Sequence, residues 1–171
     1  VVKSHPLKYG RWILTPNHVS GWDPICLAAK VPRPLHFMAK AELKRSLGPL
    51  LSLLDISPIA RNKPDVRAIR TVRHFLYGEK LVVMYPEGHR HRDGTVGEFR
   101  NGAFYFVRKK MAPVIPVVIK GLENLSFNTF WNRHVRIAFL DPIYPVDVIG
   151  MKEEEIARMV REQISECYNS L

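Results

Sequence analysis

Apolar positions along this chain follow two patterns, and their alternation predicts the architecture. Continuous apolar runs, the mark of strands buried on both faces, occur at 81–85 and 112–119. Shorter apolar stretches at 11–16, 36–39, 56–60 and 135–140 also predict strands, the first stopped by Pro16 and the third interrupted by Pro58. Helical periods lie between them. Val66, Ile69, Val72, Phe75 and Leu76 recur near the helical repeat with Arg67, Arg70 and Arg73 between, so helix is predicted over 64–77, with Gly78 as its stop. Ile156, Met159, Val160, Ile164 and Cys167 predict helix over 152–168, with Glu153 to Glu155 at its positive end. Further helix is expected at 25–29, introduced by Pro24, at 102–110, and as two short pieces in 42–54 divided at Gly48-Pro49. Strand and helix alternate for most of the length. The expected fold is α/β: a single domain over 1–171 with a mixed, largely parallel sheet covered by helices.

Composition narrows the partners more than the fold. A chain of 171 residues, 46% hydrophobic and 25% charged, can bury a core without disulfides or metal, and its composition argues against a disordered chain. Twenty-six Lys and Arg against sixteen Asp and Glu leave a net charge of +10, which points to an anionic partner: nucleic acid, a membrane surface or a phosphorylated ligand. Cys26 and Cys167 show neither Cys-x-x-Cys nor metal-ligand spacing, so free thiols and no metal are expected. No apolar run approaches the roughly 20 residues that cross a bilayer, and no signal peptide is expected in these residues. Val1-Val2 at the start is consistent with removal of an upstream segment.

Three places could carry chemistry. His18 and Asp23 stand five apart in Asn17-His18-Val19-Ser20-Gly21-Trp22-Asp23. A carboxylate fixes the tautomer of an imidazole and stabilises the imidazolium formed when the ring takes a proton. In a continuous helix this spacing turns the side chains apart, so they can meet only if the backbone turns, as Ser20-Gly21 would allow. A capping aspartate beside an unrelated histidine fits the same spacing. The second place is Tyr85-Pro86-Glu87-Gly88-His89-Arg90, directly after an apolar run and opening a long loop over 86–99. Ligands of open α/β sheets bind beyond the carboxyl ends of strands. There Gly88 permits close approach, Arg90 offers a fork of donors matched to phosphate, and Glu87 could orient Arg90 or accept from a substrate hydroxyl. A plain strand-to-loop turn with a surface salt bridge fits equally. Third, Arg61 follows the strand expected at 56–60, where a surface arginine is also commonplace. If strands 11–16, 57–60 and 81–85 lie side by side, His18, Arg61 and Arg90 open onto one edge.

Read in order, these stretches resemble the glycerophospholipid acyltransferases, the family of 1-acylglycerol-3-phosphate acyltransferase. Residues 17–23 are similar to the family's first motif, Phe37 to Leu43 to the segment in which a lysine (Lys40) precedes Glu-Leu, and Ile56 to Arg61 to the second motif. Tyr85 to Arg90, with Asp93-Gly94 and Arg100-Asn101-Gly102-Ala103, is similar to the third motif, and Ala112 to Val117 to the proline-containing fourth. His89 and His91 depart from the usual Thr and Ser. The resemblance covers about residues 12–120.

The resemblance implies a glycerolphosphate acyltransferase-like fold and transfer of a fatty acyl group from acyl-CoA or acyl-carrier protein to lysophosphatidic acid, giving phosphatidic acid. It implies His18 as base, Asp23 as its orienting carboxylate, Arg61, Glu87, Gly88 and Arg90 at the substrate phosphate, and Asn17, Ser20 and Lys40 in support. No cofactor or metal is expected. The implied location is the cytoplasmic face of a membrane, peripheral or through a missing N-terminal anchor, with no nucleic acid partner. Other acceptors (glycerol 3-phosphate, another lysolipid, a lipid-linked amine) and a non-catalytic phospholipid-binding module remain open, and acceptor choice is expected to lie in 42–55 and 121–134.

Overall fold

A computed structural model describes residues 7–40, 55–59, 66–123 and 134–171. Its strands are β1 (Trp12–Pro16), β2 (Leu35–Lys40), β3 (Asp55–Ile59), β4 (Leu81–Met84), β5 (Val114–Lys120) and β6 (Arg136–Phe139). Its helices are α1 (Asp23–Ala28), α2 (Val66–Tyr77), α3 (Tyr105–Arg108) and α4 (Glu153–Ser170), with 3-10 turns at Asn101–Ala103 and Pro145–Val148. The six strands form one sheet in the order β3-β2-β4-β1-β5-β6. All neighbours are parallel except β5 and β6. The fold is thus the mixed, mostly parallel α/β arrangement expected. The two helices anticipated in 42–54, the position of Arg61, and most of the stretch 121–134 lie outside the described residues.

The apolar runs form strands because both faces of the sheet are covered. Ile13, Leu14, Leu81, Val82 and Val83 are fully buried, each contributing about 1.5–3 kcal/mol relative to exposure. Alternate side chains enter two cores. Ile13, Val82, Val114 and Val118 pack with Val72 and Leu76 of α2, Phe106 and Val107 of α3 and Ile156, Val160 and Ile164 of α4. Trp12, Leu14, Val83, Ile115, Val117 and Ile119 pack on the opposite face with Val19, Leu27 and Val31.

Two expectations need correction. The side-by-side order considered for the strands at 11–16, 57–60 and 81–85 is met only in part: β1 and β4 are neighbours, but β2 and β4 lie between β1 and β3, which is at one edge of the described sheet, a position that tolerates Pro58. The helix expected over 102–110 is instead a 3-10 turn followed, after Phe104, by the four-residue α3. Lys110 adopts φ of +56°, which ends the helix.

Strand order also makes the crevice. The chain leaving β1 turns to the face of Val19 and Leu27, whereas the chain leaving the adjacent β4 turns to the face of Ala103 and Phe104. Neighbouring parallel strands whose continuations part to opposite faces leave an opening at their carboxyl ends, the ordinary ligand position in such sheets.

Candidate active site

The first wall of that opening is the segment leaving β1. Asn17, fully buried, replaces the next rung of the β1–β5 ladder with its side chain: Nδ2 donates to Ile119 O at 3.0 Å, and Oδ1 accepts from Ile119 N at 2.7 Å. The strand is therefore held one residue past Pro16, and His18 begins from a fixed point. The chain then turns through Gly21-Trp22 into α1, with Pro24 in its first turn. That turn brings His18 Nδ1 within 2.7 Å of Asp23 Oδ2. The same oxygen accepts the Val19 and Ser20 amides at 2.9 and 3.0 Å. An oxygen already taking two N–H groups acts as acceptor, so the imidazole proton belongs on Nδ1. Nε2 then carries the free lone pair, and His18 is 16% exposed at its side chain while Asp23 is fully buried. Ser20 serves the turn through its hydroxyl, which accepts the Trp22 amide at 3.4 Å.

The second wall is the loop leaving β4. The Tyr85 ring lies against the His18 ring, with centroids 4.2 Å apart. Its hydroxyl is buried and, among the described residues, without a hydrogen-bond partner; burial first, then Asp23 and Cys26, pushes this phenol well above its usual range. It remains a neutral wall. Gly88 takes φ of +74°, and a methyl group there would lie 3.0 Å from Arg100 Nε, so both backbone shape and close approach call for glycine. Arg90 is exposed and reaches back across the opening: a methyl group on Gly21 would lie 3.3 Å from its Nη1. Among the described residues no carboxylate pairs with Arg90 or Arg100.

Glu87 does something other than the expected phosphate contact. It is 1% exposed. Its Oε1 accepts the His18 amide at 2.9 Å, and its Oε2 accepts the Gly97 amide at 3.3 Å. Both oxygens of this inward-facing group are taken by main-chain amides, so it neither reaches into the opening nor orients Arg90; it fastens the two walls together. The His91 amide donates to His18 O at 2.8 Å, closing a second link. Burial raises the Glu87 carboxyl to about 7, against the opposing pull of the His18 and Gly97 amides; Asp23 raises it further and Arg161 lowers it. His91 Nε2 stands 3.3 Å from Glu87 Oε2 but out of line for a hydrogen bond.

Of the residues expected at the site, the structure brings together Asn17, His18, Ser20, Asp23, Glu87, Gly88 and Arg90. Lys40 ends β2 on the same edge of the sheet, its side chain outside the described part, as is all of Arg61. Gly97 and Arg161 have no place among the expected residues, and Arg100 enters the expectation only as part of the third motif. Among the described residues there is no cluster of His, Cys, Asp and Glu able to hold a metal, and both cysteines are free. Chemically, an oriented imidazole beside guanidinium groups that no described carboxylate pairs can take a proton from a hydroxyl belonging to an anionic molecule.

A family model described as Acyltransferase matches residues 1–120, and the chain belongs to that family. Among its relatives, a probable 1-acyl-sn-glycerol-3-phosphate acyltransferase of Mycoplasma genitalium is 28% identical over 92% of this chain and 66% of its own. The 1-acyl-sn-glycerol-3-phosphate acyltransferase of Salmonella typhimurium is 29% identical over 93% of this chain and 64% of its own. The crystal structure of the 1-acyl-sn-glycerophosphate (LPA) acyltransferase PlsC from Thermotoga maritima superimposes with a TM-score of 0.71 at 26% identity, covering 95% of this chain and 66% of that one. The chain thus spans just under two thirds of the length of these relatives.

Proposed function

We propose that this protein transfers a fatty acyl group from a thioester to the free hydroxyl of lysophosphatidic acid, forming phosphatidic acid. The observation that carries the reading is the 2.7 Å contact of His18 Nδ1 with a fully buried Asp23. That contact leaves Nε2 to take the acceptor proton. The acceptor oxygen attacks the thioester carbonyl as it gives its proton to His18. The tetrahedral intermediate then expels the thiolate, which recovers the proton from the imidazolium, so ester and thiol form with the base regenerated. Asp23 offsets the transient charge, and Arg90 holds the glycerol-linked phosphate so that the hydroxyl is placed. The activities named for the relatives support this acceptor. The donor is acyl-CoA or acyl-carrier protein, and the chemistry asks for no cofactor.

The test is mass spectrometry of products from a panel of lysolipids with each thioester donor. His18→Ala should lower thiol release by roughly 10²–10⁴-fold; near-normal release would remove His18 as the base. An amphiphilic acceptor places the enzyme at a membrane surface, on the side where acyl thioesters are found. No described helix is long and apolar enough to cross a membrane, and a net charge of +10 favours anionic lipid, at about 1 kcal/mol per basic residue near the surface. Binding to phosphatidylserine vesicles that is indifferent to salt would count against this attraction.

A further inference from the structure

Glu87 leads from the His18 turn to a helix that carries none of the sequence motifs. We propose that Arg161, on α4, is a positioning residue for His18, acting through Gly97 and Glu87; this rests on His18 being the base proposed above. The path is continuous. Arg161 Nε donates to Gly97 O at 2.9 Å and Nη2 to Val96 O at 3.3 Å. The Gly97 amide donates to Glu87 Oε2 at 3.3 Å, and Glu87 Oε1 accepts the His18 amide at 2.9 Å.

Each link suits this use. A guanidinium is a rigid fork of donors, matched here to the carbonyls of two successive residues. The helix beneath it is fixed, with Ile156, Val160 and Ile164 fully buried. Near its other end, the Tyr168 hydroxyl hydrogen-bonds Glu123, and a methyl group on Gly94 would lie 3.1 Å from that hydroxyl. The loop thus rests on α4 at two points. Arg161 also stands 3.4 Å from Glu98, but Glu98 is 89% exposed at its side chain, and so exposed a pair holds little in place. The carbonyl contacts are what set the loop. Arg161 lies beyond residues 1–120, the part that the family model matches. It is therefore a support that this chain supplies from outside the matched region.

The experiment compares the full chain with Arg161→Ala, Arg161→Lys and, as a control on the same helix, the exposed Arg158→Ala. Amide hydrogen exchange is followed in a peptide covering 17–20 and in one covering β4. Arg161→Ala should speed exchange at 17–20 while β4 stays protected. It should lower kcat roughly 10- to 100-fold with the acceptor KM within about 2-fold, because the base and not the phosphate site has moved. Arg161→Lys, which keeps the charge without the fork, should recover part of the loss, and Arg158→Ala should change nothing. In a Glu87→Gln background the Arg161→Ala effect on kcat should shrink, since the relay is already cut. Unchanged exchange at 17–20 in both Arg161 variants, or losses that simply multiply with those of Glu87→Gln, would overturn the proposal. A wild-type chain that transfers no acyl group would overturn the proposed function instead, and the exchange measurement would still decide whether the relay exists.

Discussion

Two buried carboxylates hold the two walls of this site, and they do so at different ranges. Asp23 gathers its donors from the five residues before it: the His18 ring and the amides of Val19 and Ser20. Glu87 reaches 69 positions back to the His18 amide and ten forward to Gly97. The first wall is closed on itself, and any chain with this turn makes it. The second is held from outside, by His18 on one side and α4 on the other. The comparison separates roles: the local cluster sets the proton chemistry of the imidazole, and the long-range one sets where that imidazole stands.

The largest expected effect breaks the local cluster. Asp23→Ala should lower acyl transfer by roughly 10²–10⁴-fold and should also destabilise the fold by about 1–3 kcal/mol, because two buried amides lose their acceptor. Asp23→Asn sharpens the point: its amide oxygen can still accept all three donors, so the rate should fall comparably while most of the stability survives in a urea titration. On the other wall, Arg90→Ala should raise the acceptor KM by roughly 10- to 100-fold, the value of one charge-assisted contact, with kcat little changed; an unchanged KM in steady-state assays removes the phosphate from this arginine.

Glu87 gives the next effect through pH. Its carboxyl is raised from 4.5 to about 7 by burial, so between those values the folded chain keeps a proton that the unfolded chain has released. Stability from this group is therefore present at low pH and is lost as pH rises through the window, by about 3 kcal/mol in all. The stability difference between wild type and Glu87→Gln, from urea unfolding at successive pH, should fall from about pH 4.5 to 7 and be flat above. A difference flat throughout would mean that the carboxyl is not held protonated. The smallest effect concerns Gly97, where a methyl group would overlap the His91 ring, 2.1 Å from Nε2. Gly97→Ala should cost about 1–3 kcal/mol, and His91→Ala in the same chain should recover most of it.

The same contrast of range explains what was legible in the sequence. Strands and helices whose apolar pattern repeats locally, such as 81–84 and 66–77, stand within a few residues of where the pattern puts them. The turn that lets His18 and Asp23 meet was marked by Ser20-Gly21, because everything it needs is within six residues. Strand order was not legible: nothing in 56–60 tells that two strands separate it from β1. A motif gives Glu87 its position but not the direction its carboxyl group faces, which is inward, onto the His18 and Gly97 amides. Arg161 had no local signal, since its partners lie 64 and 65 positions away and are backbone carbonyls that any residue supplies. The break in the expected helix at 102–110 depends on Lys110 taking a left-handed conformation, which its side chain does not announce.

One further consequence lies in the Asn17–Ile119 pair. These two residues are 102 positions apart, and every parallel neighbour in the sheet likewise waits on an intervening stretch of chain. As the polypeptide leaves the ribosome, the segment bearing the imidazole is made early, yet its last fixed rung arrives a hundred residues later. The corner that carries His18 is therefore among the late parts to assemble, and a nascent chain stopped short of Ile119 would present the motif without the means to hold it.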